Sequence, residues 1–320
     1  IARSGAAEDR PVRVAVIGVG SLGQHHARIY ASLPEAKLLA VVDRDAARAK
    51  EIAGRHGVAA LTHHRDLPSE IDAASVAVPT AEHREVAEDC LSRGLAVLVE
   101  KPMATTVREA ESMAAVAARA GRTLLVGHTE RFNPVLRAAA PRMRDPRFIE
   151  AHRLGVFTAR STDVDVVLDL MIHDLDVILS LVRSEVAALD SVGVNALTDK
   201  IDIANARLRF TNGCVANVTA SRISSERIRK LRIFEPDAYL SLDYAEQAAV
   251  AYALRRGPEG RRTIAREEVE VVREEPLLVE LRSFLQCVRG EEAPAVTAEE
   301  GIRALRLASR VREQIGGGAG

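Results

Sequence analysis

Over its first 128 residues the chain alternates short, almost unbroken apolar runs with longer segments whose apolar residues recur every three or four positions. The runs are "VRVAVIGV", "AKLLAVVD", "AASVAVP", "LAVLVE" and "RTLLVGH". Between them lie segments such as "AARAKEIAGRHG", stopped by Gly57, "AEHREVAEDCLSRG", stopped by Gly94, and "TVREAESMAAVAARAG". Unbroken apolar runs read as strands covered on both faces, and the longer segments as amphipathic helices. Strict alternation of the two predicts an α/β domain built on a doubly wound parallel sheet.

The rhythm changes after residue 145. "DVVLDLMIHDLDVILSLV" predicts one long apolar helix. "IDIANARLRF" and "CVANVTASR" then alternate in period two around Thr211-Asn212-Gly213, which predicts an antiparallel hairpin. "RKLRIF", "AYLSLDY", "AVAYALR" and "EEVEVV" predict further strands, and "LLVELRSFLQCVRG" and "AEEGIRALRLASRVREQI" two closing helices. The expected organisation is a first domain over 11–128 and an α+β domain with a large, open, mostly antiparallel sheet over 129–315, with loose ends at 1–10 and 316–320.

Composition narrows the function classes. A length of 320 residues suits two cores better than one. The net charge of -1 offers no electrostatic reason to bind nucleic acid or an anionic membrane, and the absence of Trp with 3% aromatics argues against a base-stacking platform. No apolar run is long enough to span a bilayer, and the opening "IARSGAAEDR" has no apolar signal core. Cys90, Cys214 and Cys287 are too scattered for a disulfide framework, so a cytoplasmic setting is expected. Adjacent histidines (His25-His26, His63-His64) without a Cys or carboxylate array predict no metal site.

The chemistry begins with "GVGSLGQHHAR", where Gly18, Gly20 and Gly23 lie between the first strand and a helix opening near Leu22. In a Rossmann unit the first glycine allows the tight turn, the second lets backbone approach a pyrophosphate, and the third permits close helix–strand packing. Asp43 ends the second strand, where a carboxylate can accept from a ribose diol. Gly18, Gly20, Ser21, Leu22, Gly23 and Asp43 are therefore cofactor-binding candidates. Arg44 could hold a 2′-phosphate, but Asp43 would repel one, so NAD is expected over NADP. Glu100 and Lys101 in "VEKPMATT" follow a buried strand, at the carboxyl edge where such sheets bind ligands. Asp169 and His173, four apart on an otherwise apolar helix, share one face. By themselves they also fit a buried histidine satisfied by its own carboxylate.

The combination of "GVGSLGQHHAR", "VAVPTAEH", "EKPMATT" and "DLMIHDLD", closing with "PAVTAEEGIRALRLA", resembles the Gfo/Idh/MocA oxidoreductases. The resemblance implies a Rossmann domain, a second domain with an open sheet, and catalysis at their junction. It also implies roles for the catalytic lysine at Lys101 and for the D-x-x-x-H pair at Asp169 and His173, with Asp176 matching a further acidic position. Pro79, Thr80 and His83 fall near the nicotinamide side, and Glu100 and Lys101 join the cofactor set. Two departures are "DVDVVLD", where the family often has glycines, and Met171, where it often has a small residue.

Alcohol oxidation needs a base for the hydroxyl proton, which an imidazole suits, and His173 takes that role with Asp169 orienting it. Lys101 would hydrogen-bond the same oxygen as negative charge develops. The basic stretch "SRISSERIRKLRIF" reads either as a solvated hairpin or as an anion site. It and "VGHTERFNP" resemble the sugar-nucleotide 3-dehydrogenases of the family. Arg131, Arg160 and Arg222 are the substrate-binding candidates. The expected substrate is a sugar or nucleotide sugar, UDP-N-acetylglucosamine oxidised at C3 being the first choice. Alternatives are a polyol or inositol dehydrogenase, a redox-neutral NAD-dependent glycosidase and a non-catalytic regulator. The family also implies a homodimer or homotetramer packed through the open sheet, for which Ala204, Ala206, Leu208 and Phe210 offer an apolar face.

Overall fold

The structure, a computed structural model, describes residues 10–157, 164–256 and 262–317. The first part of the chain runs β1 (Val12–Ile17), α1 (Gly23–Ser32), β2 (Ala36–Val42), α2 (Ala46–His56), β3 (Ala59–Leu61), β4 (Ala73–Val76), α3 (Thr80–Ser92), β5 (Ala96–Glu100), α4 (Val107–Ala120) and β6 (Leu124–Gly127). The strands form one parallel sheet in the order β3-β2-β1-β4-β5-β6, which reverses direction between β1 and β4. Ligands of such sheets bind where the order reverses, outside the carboxyl ends of the strands. Local chemistry sets the helix ends. Asp45 caps α2 by accepting from Ala47 and Arg48 backbone N–H groups, and Thr106 and Glu109 form a capping box at the start of α4. Gly57 at φ 66 and Gly121 at φ 59 end these two helices in the left-handed region.

The second part contains α5 (Pro134–Ala139), β7 (Phe148–Leu154), a π-helical turn at Val167–Met171 leading into α6 (Ile172–Val182), and β8 (Val186–Val194). Then follow β9 (Ile203–Phe210), β10 (Val215–Ser221), β11 (Ile228–Phe234), β12 (Ala238–Asp243), β13 (Ala248–Arg256) and β14 (Arg262–Val269). Their sheet has the order β14-β13-β12-β11-β7-β10-β9-β8 and is antiparallel except where β10 meets β7. The expected β9–β10 hairpin is present, with Gly213 at φ 87 in its turn. The last strand begins earlier than "EEVEVV" suggests. β7 and β8 are additions to the strands read from the pattern.

The compact units differ from the expected domains for a reason of packing. The chain divides into one unit of residues up to His128 plus Leu277–Ile302, and a second of Thr129–Pro276 plus the residues from Arg303 onward. Helix α7 (Pro276–Arg289) thus belongs largely to the first unit. Its Leu281, Phe284 and Leu285 are buried in the same core as Val14 and Val16 of β1 and Ile29 and Tyr30 of α1. Of the end expected at 316–320 to be loose, residues 316–317 continue helix α8 (Ala298–Gly317), while 1–9 and 318–320 lie outside the described residues.

The apolar face offered for oligomerisation is also corrected. Ala204, Ala206, Leu208 and Phe210 are at most 2% exposed, turned into the second unit's own core. Asn205, Arg207 and Arg209 occupy the outer face of β9. Aromatic area on that outer face comes from Phe148, Phe234, Tyr239 and Tyr252 in a row across β7, β11, β12 and β13, with Phe148 tilted against Phe234 at 5.7 Å and the other neighbours stacked at 4.6 and 5.3 Å. Among the described residues, no helix is long and apolar enough to cross a membrane.

Candidate active site

In the first unit the glycine loop leaves β1 at the sheet's reversal point. A Cβ on Gly18, which sits at φ 82, would lie 2.6 Å from the Ala77 carbonyl oxygen. One on Gly23 would lie 1.8 Å from the Gly18 carbonyl oxygen. Both positions exclude any side chain. Around Gly20 no protein atom lies within 4 Å of the corresponding point, so the flank of the loop stays open. Exposed Ser21 and Leu22 continue the loop into α1. A backbone cradle that is tight against the protein and open outward fits a dinucleotide pyrophosphate.

Asp43, just past β2, accepts the Val19 N–H at 3.0 Å through one oxygen and the Asp45 N–H at 3.0 Å through the other. The carboxylate is thereby fixed beside the loop. Arg44 points instead to Glu82, with Nη1 3.0 Å from Oε1. Arg48 is a further, unexpected contact to the loop. From the first turn of α2 its Nε donates to the Val19 carbonyl at 2.8 Å, and its Nη2 donates to the Gly20 carbonyl at 3.4 Å and to Gln24 Oε1 at 3.0 Å. Only the fold brings that helix turn to the loop, so spacing carried no signal for it.

Lys101 follows β5 and is half-buried, and the bond to Pro102 is cis. Its backbone N–H donates to Glu100 Oε2 at 3.2 Å, while Glu100 Oε1 lies 2.9 Å from His26 Nε2 on α1. Burial would raise the Glu100 carboxyl, but the His26 hydrogen bond, the charge of His26 and that of Lys101 hold it below the usual range. Glu100 is only 4% exposed. Its carboxylate therefore ties the glycine-loop helix to the lysine turn. His83 is held in a similar way. Its ring is 1% exposed, with Nδ1 3.1 Å from the Pro102 carbonyl and Nε2 2.9 Å from the Val78 carbonyl, and burial lowers its pKa. Each nitrogen faces a backbone carbonyl, and the single N–H of the neutral ring donates to one of the two, so His83 packs the turn after Val78 against the lysine turn.

In the second unit Asp169 lies in the π-helical turn and His173 in the first turn of α6, both half-buried. The expected uninterrupted helix is thus wound wide at its start, a feature that recurs at functional sites. Asp165 caps it, accepting Val167 and Leu168 N–H groups at 3.0 Å each, and is itself paired with Arg312 at 2.6 Å. A buried ionic network missed by the sequence reading follows directly after His173. Arg153 on β7 donates to both oxygens of Asp174 at 2.8 and 3.0 Å and to Glu130 at 2.8 Å. Burial raises Asp174 above its ordinary pKa despite Arg153. Burial would raise Glu130 too, but there the Arg153 charge and hydrogen bond hold it below. The Arg153 guanidinium also sits 5.8 Å over the Tyr244 ring.

Of the substrate candidates, Arg131 has Nη1 3.5 Å from Asp176 Oδ1. Arg222 is 8% exposed, with Nε 3.9 Å from buried Asp202 and Nη2 donating to the Val164 carbonyl. Arg160 lies outside the described residues. The basic stretch is not a hairpin, because β7 is inserted between β10 and β11. Among the described residues no three His, Cys, Asp or Glu side chains converge as metal ligands.

Known proteins resemble both parts of the chain. A family model described as "Oxidoreductase family, NAD-binding Rossmann fold" matches residues 12–128, and its companion "Oxidoreductase family, C-terminal alpha/beta domain" matches 160–319. The chain is 37% identical to UDP-N-acetylglucosamine 3-dehydrogenase of Acidithiobacillus ferrooxidans over 308 residues, 95% of this chain and 97% of that one. A solved structure of an enzyme with that name from the same organism superposes with a TM-score of 0.89 at 36% identity, covering 96% of this chain and 98% of the other. Myo-inositol 2-dehydrogenase of Thermotoga maritima is 24% identical, covering 95% and 96% of the two chains.

Proposed function

The chain belongs to the Gfo/Idh/MocA family of dehydrogenases acting on CH–OH groups, and from that premise we propose that it oxidises a secondary hydroxyl of a nucleotide sugar with NAD. UDP-N-acetylglucosamine oxidised at C3 is the first candidate. The observation that carries this reading is the 37% identity, over 95% of this chain, to an enzyme named for that reaction. The myo-inositol enzyme, at 24%, is the more distant relative, so a polyol is the second candidate.

The glycine loop and Asp43 would hold the dinucleotide, which when bound accepts the hydride. NAD is preferred because the fixed Asp43 carboxylate repels a 2′-phosphate, and because Arg44 is already paired with Glu82. His173 takes the hydroxyl proton, Asp169 orients the imidazole, and Lys101 donates to the oxygen as its charge grows. The test is NADH formation, followed by absorbance, with UDP-N-acetylglucosamine against N-acetylglucosamine, myo-inositol and glucose. The nucleotide sugar should give the highest kcat/KM. Turnover of a free sugar or polyol with no gain from the nucleotide would refute the assignment, and sugar release without net NADH would point to a glycosidase.

A further inference from the structure

The basic stretch between β10 and β11 carries five cations: Arg222, Arg227, Arg229, Lys230 and Arg232. The structure sorts them. Arg222 is buried against Asp202. Along β11, Leu231 and Ile233 are fully buried on the inner face, so Lys230 and Arg232 project from the opposite, outer face. There Lys230 Nζ lies 3.6 Å from Asp243, and Arg232 Nη1 lies 3.6 Å from Glu150. Three of the five are thus engaged by carboxylates.

Arg229 differs. It shares the inner face with Leu231 and Ile233, yet it is exposed, at the end of the strand. Its partner in the β7–β11 register is Arg153, so two guanidinium groups stand directly opposite on adjacent strands. Like charges in that position destabilise a sheet unless something neutralises them. Arg153 is neutralised by Asp174 and Glu130. Arg229 makes no ion pair among the described residues, although the charges of Glu130 and Asp174 reach it. Desolvation and the charge of Arg153 lower its pKa from the arginine norm, and exposed Arg227, just before the strand, acts on it in the same direction. Arg229 therefore depends on two carboxylates that Arg153 already engages by hydrogen bonds, with Arg227 adding to the positive side, which leaves positive charge in excess at this end of the strand. Asp174 is the residue after His173, so this excess belongs to the inner side of the sheet, where the His173 helix lies.

We propose that Arg229 binds the anionic group of the substrate, a phosphate of the nucleotide sugar, on the His173 side of the second sheet. This rests on the nucleotide-sugar reading above and assigns its anion recognition to one residue. A phosphate matches the guanidinium fork with two parallel hydrogen bonds and removes the repulsion from Arg153 and Arg227. Anchoring the phosphate away from the reacting carbon would hold the hydroxyl in place without touching it.

The test compares Arg229→Gln, Arg229→Lys and Lys230→Gln by steady-state kinetics with UDP-N-acetylglucosamine and by calorimetric titration of UDP. Lys230→Gln removes the same charge one residue away, on the outer face. Arg229→Gln should raise KM and weaken UDP binding by about 10-fold or more, with NAD affinity unchanged. Arg229→Lys, which keeps the charge and loses the fork, should fall between, and Lys230→Gln should stay within about two-fold of the parent. If the parent enzyme turns over UDP-N-acetylglucosamine while folded Arg229→Gln matches it, or if Lys230→Gln loses as much, the assignment to Arg229 is wrong and the substrate reading stands. If the parent neither binds UDP nor turns over the nucleotide sugar, both fall together.

Discussion

Replacing Arg153 by Met, a side chain of similar length without charge, should destabilise the second unit in a pH-dependent way. Arg153 is 3% exposed and makes three hydrogen bonds of 2.8–3.0 Å to Asp174 and Glu130, themselves 1% and 9% exposed. Its loss leaves two buried carboxylates without their cation. Breaking a buried ion pair from one side costs about 3–5 kcal/mol. For a unit of this size each kcal/mol shifts Tm by about 2–4 °C, so the loss should be about 6–20 °C near pH 8. The sign of the pH dependence follows from the same groups. In the parent, Glu130 is held below its ordinary pKa, so its contribution is present above that value and fades as pH falls. In the variant, burial is opposed only by the charge of Arg229 and, at Glu130, by the Asn133 hydrogen bond, so it lifts the Glu130 carboxyl and carries the already raised Asp174 higher still. Stability is then retained at low pH and lost as pH rises through the elevated folded pKa values. The gap between parent and variant should therefore be wide at about pH 8 and narrow at about pH 5, as followed by thermal melts with circular dichroism. A gap independent of pH, or below about 2 °C throughout, would refute the reasoning.

Lys101→Ala and His173→Ala should keep NAD binding by calorimetry but lose kcat by about 100-fold or more, and near-normal turnover by either folded variant would remove it from the mechanism. Fluorescence titration should show tighter binding of NAD than of NADP; the reverse order would make Arg44 or Arg48 a phosphate ligand. Because the outer face of the second sheet carries an aromatic row, and the family resemblance implies packing there, light scattering at micromolar concentration should exceed the 34.6 kDa of one chain. A monomer only would refute that.

What the sequence determined by itself is local in origin. Buried strands, amphipathic helices and the glycine loop each follow from residues a few positions apart, and from them came the α/β first unit, the antiparallel second sheet and the candidate residues Asp43, Lys101, Asp169 and His173. Only the tertiary structure decided the long-range partners. Phe284 completes a core begun at Val14, and β7 inserts between β10 and β11, turning an expected hairpin into a crossover. Glu130, Arg153 and Asp174 come from three separate segments and read singly as ordinary surface charges. Glu100 and His83 were legible as near the site, but not as groups turned into the protein. The physical reason is that periodicity reports which face of an element is apolar. Which element covers that face, and which charge then finds itself without water, is set by chain closure over tens of residues, and no local pattern encodes it.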